Sequence, residues 1–319
     1  MTNTPKPSSV GIQKLLAIGR RVPTWAMIVV MAVVLVSLVV VGANQGEPVR
    51  PPIQLASTGT QTPDSVDPTS QSQPPQLAEL SAAIAEIEDQ YRTSIGVGIA
   101  PVASPGKVVT TPWQGGTLVS APAWRTIDVA IALAVSQSPR QPQDLGYLLD
   151  RSVTQDSLAG DQALWQFLGT PDQAISATGD VLRSAGDSTT VLPEDANDPF
   201  AVFSQVGWTQ VDAAQFMGVL FCMPRSWPVL SYMAPDSPDG FGLATLTPSL
   251  ARTSRGTSID PRMPGVGVRQ VGLLRLADGH IVGVSLAAIA EDSTLDTAEM
   301  AATAVANLLK GITGFDGQC

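Results

Sequence analysis

The feature that most constrains this chain is an uncharged, strongly apolar run of twenty residues, 24–43. An α-helix of about 20 such residues spans a bilayer. Trp25 is typical of a membrane interface, and residues 1–23 carry four basic side chains and no acid, which predicts a cytoplasmic N-terminus. We expect a single-pass anchor in the plasma membrane with an extracytoplasmic C-terminal domain. The alternative is a cleaved signal peptide, because residues 41–43 resemble a cleavage site, although signal h-regions are only about 7–15 residues long.

Residues 44–76 are rich in Pro, Ser, Thr and Gln, and seven of them are proline. Such a composition cannot bury a hydrophobic core and predicts a disordered tether. The sequence therefore divides into a cytoplasmic stretch (1–23), a membrane helix (24–43), the tether and one extracytoplasmic domain over residues 77–319.

The chain after the predicted membrane helix is acidic. It holds all 28 Asp and Glu residues but only 14 of the 18 Lys and Arg residues, and the whole chain has a formal net charge of −10. A surface of this sign repels a phosphate backbone, so we expect no nucleic acid partner. Lys107 and Lys310 are the only lysines in this part.

The order of predicted elements indicates an α/β fold of the α+β kind. In chain order these are an amphipathic helix (77–91), a hairpin (94–113), an apolar helix (126–135), a helical block (145–220), two strands (266–290) and a closing helix (295–312). This order predicts an antiparallel sheet flanked by terminal helices, with a helical lobe beside it.

The order of elements and four segments resemble the serine β-lactamase and penicillin-binding protein family, closest to its class A type. The segments are LAELSAAIAEIEDQYRTSIGVGIAPV, APAWRTIDVAIALAV, SVTQDSLAGDQALWQFLG and TAEMAATAVANLLKGI. The resemblance covers about residues 77–312, and the Pro-Ala-Trp before the apolar helix is similar to that of exported actinobacterial proteins of this lineage. It implies the family's two-part fold.

The family's chemistry requires Ser-x-x-Lys, Ser-Asp-Asn and Lys-Thr-Gly motifs. In the first, a serine at a helix start has a lysine one turn later on the same face, where it can help to remove the hydroxyl proton. Arg125 stands at the serine position here and Asp128 at the lysine position. Arginine cannot be the nucleophile, and an aspartate does not replace the positive charge of lysine. Thr126 is one residue off, which rotates it by about 100° around the helix.

The other two motifs have also departed from the family's pattern. Residues 156–158 are Asp156, Ser157 and leucine, so the serine is shifted by one position and the amide is lost. The third motif falls near residues 254–257, where Arg255 keeps a positive charge. Glu194 is the best match to the acidic Ω-loop residue of class A enzymes. The family's catalysis is therefore not carried over to this chain.

Other enzyme classes find little support in the sequence. A Ser-His-Asp triad would need His280, the only histidine, whose place just after a turn is typical of an ordinary surface residue. No group of Cys, His and carboxylates has metal-ligand spacing, so we expect no metal and no cofactor. Gly265 and Gly267 are more typical of a turn than of a phosphate-binding loop.

Arg125 and Asp128 can form an ion pair at i, i+3 on the first helical turn. We expect this pair to fill and close the former pocket of the serine and lysine. The alternatives are an anion or peptide site at the same place, or a plain surface pair that contributes a few tenths of a kcal/mol. The vestigial cleft is expected to hold Arg125, Asp128, Asp156, Ser157 and Arg255.

Cys222 and Cys319 are the only cysteines, and the second is the last residue. Both lie on the predicted outer side of the membrane, where disulfides persist. We expect a disulfide that ties the C-terminus to the body of the domain, with two free thiols as the alternative. Closing so long a loop stabilises a fold by roughly a few kcal/mol in the chain-entropy account.

These observations predict a membrane-anchored, extracytoplasmic pseudoenzyme that binds or scaffolds at the cell envelope, with cell-wall material or a membrane protein as its partner. The enzymatic alternative is a diverged serine hydrolase that acts on a cell-wall or β-lactam-like substrate. It would use Ser157 or Thr126, with Arg255 supporting the oxyanion. A third hypothesis is a structural subunit of a membrane complex, joined through the membrane helix.

Overall fold

The structure is a computed structural model of the chain. It describes residues 75–107, 112–193, 206–233, 240–247, 249–258 and 264–319. The predicted membrane helix, the tether up to residue 74 and Glu194 lie outside these residues. Among the helices that it does describe, none is both long and apolar enough to cross a membrane.

Seven strands lie in the described residues, and five of them form one antiparallel sheet. They are β1 (Thr93–Pro101), β2 (Trp113–Gly115), β3 (Ser120–Pro122), β4 (Gly207–Thr209), β5 (Ser249–Ser258), β6 (Gly265–Arg275) and β7 (Ile281–Ala290). The five-stranded sheet has the order β2-β1-β7-β6-β5, and β3 pairs with β4 separately. The central strand β7 is buried along nearly its whole length, which explains its almost continuous apolar sequence.

Helices cover both faces of the five-stranded sheet. They are α1 (Pro75–Tyr91), α2 (Asp128–Gln137), α3 (Leu145–Leu149), α4 (Leu158–Phe167), α5 (Pro171–Ser184), α6 (Gln210–Leu220), α7 (Trp227–Tyr232) and α8 (Leu295–Leu309). The 3₁₀ turn Trp124–Ile127 leads into α2, and the π-helical turn Asp150–Thr154 precedes α4. The predicted antiparallel sheet with terminal helices and a helical lobe is confirmed.

The terminal helices α1 and α8 pack together on one face of the sheet. Leu80, Ile84 and Ile87 recur at helical spacing on α1 and are buried. They belong to the same core cluster as the small side chains of α8, which include Ala298 and Ala302. Alanine lets a helix approach closely, so the two ends of the domain share one core.

The other face carries the helical lobe, whose centre is α2. Every residue of α2 from Asp128 to Ser136 is buried, as expected for a helix that is apolar on nearly all sides. Helix α6 lies directly on the sheet. A Cβ at Gly98 would come within 2.0 Å of the Gln210 carbonyl oxygen, so glycine in this strand allows the helix to approach.

Strand β5 is an element that the sequence pattern did not predict. Its sequence, SLARTSRGTS, has few apolar residues, yet Arg252 and Ser254 are buried. Residues 108–111 of the predicted return strand of the first hairpin lie outside the described residues, and β2 covers Trp113–Gly115. In β5, inward-facing polar side chains pair with other polar groups, and they conceal the alternation of apolar and polar residues that marks a half-buried strand.

The predicted disulfide is confirmed. Cys222 and Cys319 are bonded, with a Cα–Cα distance of 5.2 Å and 97 residues of sequence separation. Gln318 also forms a parallel bridge with Ala103, just after β1. The C-terminal residues are therefore held against the domain by a covalent bond and a backbone pairing.

Candidate functional site: a charged cluster between sheet and lobe

The 3₁₀ turn Trp124–Ile127 packs against β5. Trp124 has φ of +44°, in the left-handed region that side chains rarely adopt, and its indole Nε1 donates to the carbonyl oxygen of Thr257 at 3.3 Å. The ring covers Gly256, where a Cβ would lie 2.4 Å from it. Glycine at this position lets the turn approach the strand, which places Arg125 between β5 and the loop before α4.

Five charged side chains meet at this place, each from a different segment of the chain. They come from the 3₁₀ turn, α2, the loop before α4, α4 itself and β5, and we refer to them as the charged cluster: Arg125, Asp128, Asp156, Asp161 and Arg252. The cluster joins the sheet to the helical lobe through ion pairs.

The inner part of the charged cluster is the pair of Arg252 and Asp128. Both are fully buried or nearly so, at 2% and 0% side-chain exposure. Arg252 Nε lies 2.8 Å from Asp128 Oδ2, and Arg252 Nη2 donates to the same oxygen at 2.5 Å. Its Nη1 donates to the carbonyl oxygen of Thr253. A buried guanidinium and carboxylate with this geometry compensate much of each other's desolvation cost.

The outer part is Asp156, which bridges the two arginines. Arg125 holds it with two nitrogens, Nε at 2.9 Å from Oδ1 and Nη2 on Oδ2. Arg252 Nη2 also donates to Asp156 Oδ1, at 2.6 Å. The side chains of Arg125 and Asp156 are each 27% exposed, so this bridge forms the solvent-facing side of the charged cluster.

The third carboxyl group, Asp161, is fully buried and incompletely paired. Its Oδ1 accepts a hydrogen bond from Ser152 Oγ at 2.6 Å, and this hydroxyl also lies 3.4 Å from Asp128 Oδ2. Within the described part of the chain its Oδ2 has no hydrogen-bond partner, and it lies 3.8 Å from Arg125 Nε. Three carboxyl groups thus share two guanidinium groups.

The electrostatics of the charged cluster follow from this imbalance. Burial, reinforced by the charge of Asp128, raises the pKa of Asp161 to about 8. Burial also raises the pKa of Asp128, to about 6, against the opposing charge of Arg252. Asp156 is partly desolvated too, but the hydrogen bond from Arg125 and the charge of Arg252 hold its pKa below the usual value. With one proton on Asp161, the charged cluster is neutral near pH 7.

The expected direct pair of Arg125 with Asp128 is wrong. Arg125 pairs with Asp156, and Asp128 pairs with Arg252. The two residues still belong to one charged cluster, because Asp156 contacts both arginines. The i, i+3 spacing suggested a local pair, but α2 turns Asp128 toward the sheet, where a buried cation from β5 is available.

Ser157 and Arg255 take no part in the charged cluster. Ser157 Oγ accepts a hydrogen bond from Arg151 Nη2 at 3.0 Å. Arg255 Nε donates to Glu299 on α8 at 2.6 Å, and its guanidinium lies 4.8 Å from the centre of the Phe241 ring. Successive side chains of a strand point to opposite faces, so Arg252 and Arg255 lie on opposite faces of β5.

Sequence reasoning missed Arg252, Asp161 and Ser152. Arg252 is three residues before the position where the motif alignment placed a cation. One sequence signal could have indicated a buried partner. Asp161 and Ser152 are near Asp156 in sequence, and acidic and hydroxyl side chains that are buried beside an apolar helix need polar or charged partners. No pattern in the sequence indicated which arginine would provide the charge.

The hydroxyl groups near the turn are also engaged. Thr126 is fully buried, and its Oγ1 donates to the carbonyl oxygen of Ala123 at 2.6 Å. Ser254 Oγ accepts a hydrogen bond from the backbone nitrogen of Arg125 at 3.3 Å.

Within the described ranges, no group of three or more His, Cys, Asp or Glu residues is arranged to hold a metal ion. The two guanidinium groups and three carboxyl groups of the charged cluster are suited to binding a charged group.

A second buried arginine, Arg269, lies one strand away on β6, opposite Ser254 of β5. Its Nη1 donates to the carbonyl oxygens of Ala121 and Trp208 at 2.9 and 3.1 Å. Its Nη2 donates to Ser285 Oγ at 3.2 Å. Among the described residues no carboxylate pairs with it, and burial lowers its pKa to about 9.

The described domain is similar to solved class A β-lactamases. TLA-3 extended-spectrum β-lactamase and a β-lactamase from Chitinophaga pinensis DSM 2588 each superpose with a TM-score of 0.55 and 12% identity, over 73% of this chain and 98% of theirs. A class A β-lactamase from Bacteroides cellulosilyticus DSM 14838 gives 0.51 and 13%, over 72% of this chain and 98% of its own. No protein-family model matches the sequence, and no curated protein matches it.

The similarity in structure covers almost the whole length of these β-lactamases, while the sequence identity is low. Three-dimensional likeness at this level establishes the arrangement of sheet and lobe, and function has to be argued from the site. The resemblance seen in the sequence is confirmed at the level of the fold, and the chain has a serine β-lactamase-like fold.

Proposed function

We propose that this chain is a membrane-anchored, extracytoplasmic pseudoenzyme, in which a serine hydrolase-like scaffold binds a partner at the cell envelope without hydrolysing it. The observation that carries the proposal is the residue at the start of the buried helix. Arg125 stands there in place of a nucleophile. Two of its guanidinium nitrogens, Nε and Nη2, donate hydrogen bonds to the carboxylate of Asp156. A guanidinium is not a nucleophile, and its strong pairing leaves it unsuited to proton transfer.

The state of the nearby hydroxyl groups supports the proposal. A serine or threonine nucleophile needs a neighbouring base that takes its proton. The Thr126 hydroxyl donates to a backbone carbonyl in a fully buried place. Ser157 lies beside Arg151, a cation that cannot accept a proton.

The positions of the basic side chains support it as well. Lys310 follows α8 and donates to Asn307 Oδ1 at 2.7 Å. His280 lies in the turn between β6 and β7, with its Nε2 3.2 Å from Asp316 Oδ1. Lys107 lies in the turn after β1. Of the lysines and histidine in the described residues, none belongs to the charged cluster, so a hydrolase of the Ser-Lys or Ser-His kind lacks its base there.

The cellular part of the proposal rests on the sequence. The apolar run at residues 24–43, preceded by basic residues, supports a single-pass plasma membrane anchor with the domain outside. The partner is then cell-wall material or another membrane protein. Protease treatment of intact spheroplasts should remove a C-terminal epitope while leaving the N-terminus protected, and an epitope that resists cleavage until lysis would contradict this topology.

Covalent labelling by a fluorescent penicillin tests the absence of hydrolase chemistry. We expect the purified full-length chain to remain unlabelled under conditions that label a class A β-lactamase carrying a deacylation-impairing substitution. Ser157→Ala is the matched variant. Labelling of the wild-type chain that disappears in Ser157→Ala would establish the diverged serine hydrolase instead.

A further inference from the structure

We propose that Arg125 and Arg252 form a binding site for the carboxylate of a ligand, and that Asp156 of the chain itself occupies this site when no ligand is bound. The inference rests on the proposed function, since it gives a chemical class to the ligand of a binding domain. It goes beyond that function because it assigns the binding groups and the internal group that competes with the ligand.

The first support is the convergence of donors on one carboxylate. Arg125 contributes two nitrogens to Asp156 in a fork, and Arg252 adds a third at 2.6 Å. Paired N–H groups that face both oxygens of a planar carboxylate are the arrangement by which arginine recognises that group. The Arg252 donor would remain in place if the Asp156 side chain left, because Arg252 is also held by Asp128 and by the Thr253 carbonyl oxygen. Arg125 Nε would still face a carboxyl oxygen of the charged cluster, Asp161 Oδ2 at 3.8 Å.

The second support is that Asp156 differs from the other two acids of the charged cluster. Asp128 and Asp161 lie in helices and have no exposed surface, whereas the side chain of Asp156 is 27% exposed. Asp156 lies in the short link between the π-helical turn and α4, with φ of +52° in the left-handed region. Asp156 is therefore the acid that can leave the site.

The third support is the balance of charge. Two guanidinium groups face three carboxyl groups, and Asp161 retains a proton near neutral pH. Departure of Asp156 would leave one uncompensated positive charge on a partly desolvated pair of arginines. A ligand with a single carboxylate restores neutrality, so the site selects one negative charge with two oxygens in a plane.

Rescue by acetate tests the inference directly. In the full-length Asp156→Ala chain, kept in detergent, acetate should raise the midpoint of thermal unfolding by several degrees as its concentration increases to about 100 mM at constant ionic strength. Chloride and sulfate should not reproduce the shift. The wild-type chain should respond much less, because its Asp156 carboxylate already occupies the fork and acetate would have to displace it.

Two further variants separate a specific site from general effects of ions. Asp180→Ala removes one acid from an exposed pair with Arg183 and should show no acetate-dependent shift. Adding Arg125→Gln to Asp156→Ala should abolish the rescue, because the fork that binds the carboxylate is lost. If Asp156→Ala does not remain folded, the yield of refolding in acetate relative to chloride is compared among the same variants.

Each outcome bears on the inference. An equal response to acetate and chloride, an equal response in Asp180→Ala, or a rescue that survives Arg125→Gln would overturn it. The result is independent of the penicillin experiment. A labelled wild-type chain would refute the non-hydrolytic function while leaving the acetate shift unchanged, and a missing acetate shift would refute the carboxylate site while leaving the absence of labelling intact.

Discussion

Arg252 and Arg269 lie on neighbouring strands of the same sheet and are both buried, at 2% and 0% exposure. Arg252 pairs with Asp128 and Asp156, and its positive charge is neutralised by opposite charges. Arg269 is surrounded by the carbonyl oxygens of Ala121 and Trp208 and by other uncharged groups, and its guanidinium lies 5.6 Å from the centre of the Trp208 ring. The same side chain is thus accommodated by carboxylates in one place and by dipoles and a π-face in the other.

The difference shows how one sheet supports two kinds of junction. Arg252 connects β5 to residues of the helical lobe, so its ion pairs span the two parts of the domain. Arg269 connects β6 mainly to the small β3–β4 sheet through the Ala121 and Trp208 carbonyl oxygens. The first junction contains carboxyl groups whose charge changes near neutral pH, whereas the hydrogen-bond partners of Arg269 in the second are uncharged groups that do not titrate there.

Replacing Arg252 by methionine should have the greatest consequence for stability. It would leave Asp128 buried without its cation, and breaking a buried pair in this way costs about 3–5 kcal/mol of the free energy of unfolding. Urea denaturation of wild-type and Arg252→Met chains measures the loss. The double variant Asp128→Leu with Arg252→Met should be more stable than Arg252→Met alone, because both charges are then removed from the interior. A loss below about 1 kcal/mol in Arg252→Met would show that the pair is not coupled to folding.

Replacing Arg269 by methionine should be less costly. Several carbonyl oxygens and Ser285 Oγ would lose a donor, but no unpaired charge would remain, so the expected loss is about 1–3 kcal/mol. The same urea experiment measures it, with Arg275→Met, a partly exposed arginine at the end of β6, as the control. A loss equal to that of Arg252→Met would indicate that carbonyl oxygens hold this guanidinium as firmly as carboxylates hold the other.

Much of this fold could be predicted from periodicity. The terminal helices have apolar residues at helical intervals, and the strands β6 and β7 and the helix α2 have nearly continuous apolar runs, because they are buried along almost their whole length. The disulfide could be expected from the two cysteines together with their predicted place on the outer side of the membrane. Strand β5 could not, because its inward positions include Arg252 and Ser254, whose partners come from distant parts of the chain.

The candidate site was predicted only in part, for the same physical reason. Arg125, Asp128 and Asp156 were found by their positions relative to the family's motifs. Their partners were not found, because local spacing indicates which residues share a helix face and says little about which strand lies opposite. Arg252 lies 124 residues from Asp128 in sequence.

The contrast between the two arginines also predicts a difference in pH dependence, to be seen in Asp161→Asn. The folded state raises the pKa of Asp161 to about 8, above the ordinary value of 3.8. A carboxyl group with a raised pKa contributes stability that is fully present below pH 3.8 and is lost as pH rises through its folded pKa. Asparagine resembles the protonated acid and does not titrate. The free energy of unfolding of the wild-type chain, relative to Asp161→Asn, should therefore fall by about 1 kcal/mol between pH 7 and pH 8.

Urea denaturation at closely spaced pH values measures this difference, and Arg269→Met serves as its control. The groups around Arg269 do not titrate in this range, so Arg269→Met should follow the wild-type pH dependence and differ from it by a constant amount. Parallel pH curves for the wild-type and Asp161→Asn chains would mean that Asp161 is already ionised at pH 7. The charged cluster would then carry a net negative charge, and departure of Asp156 would leave it neutral, which removes the electrostatic reason for an incoming carboxylate to take its place.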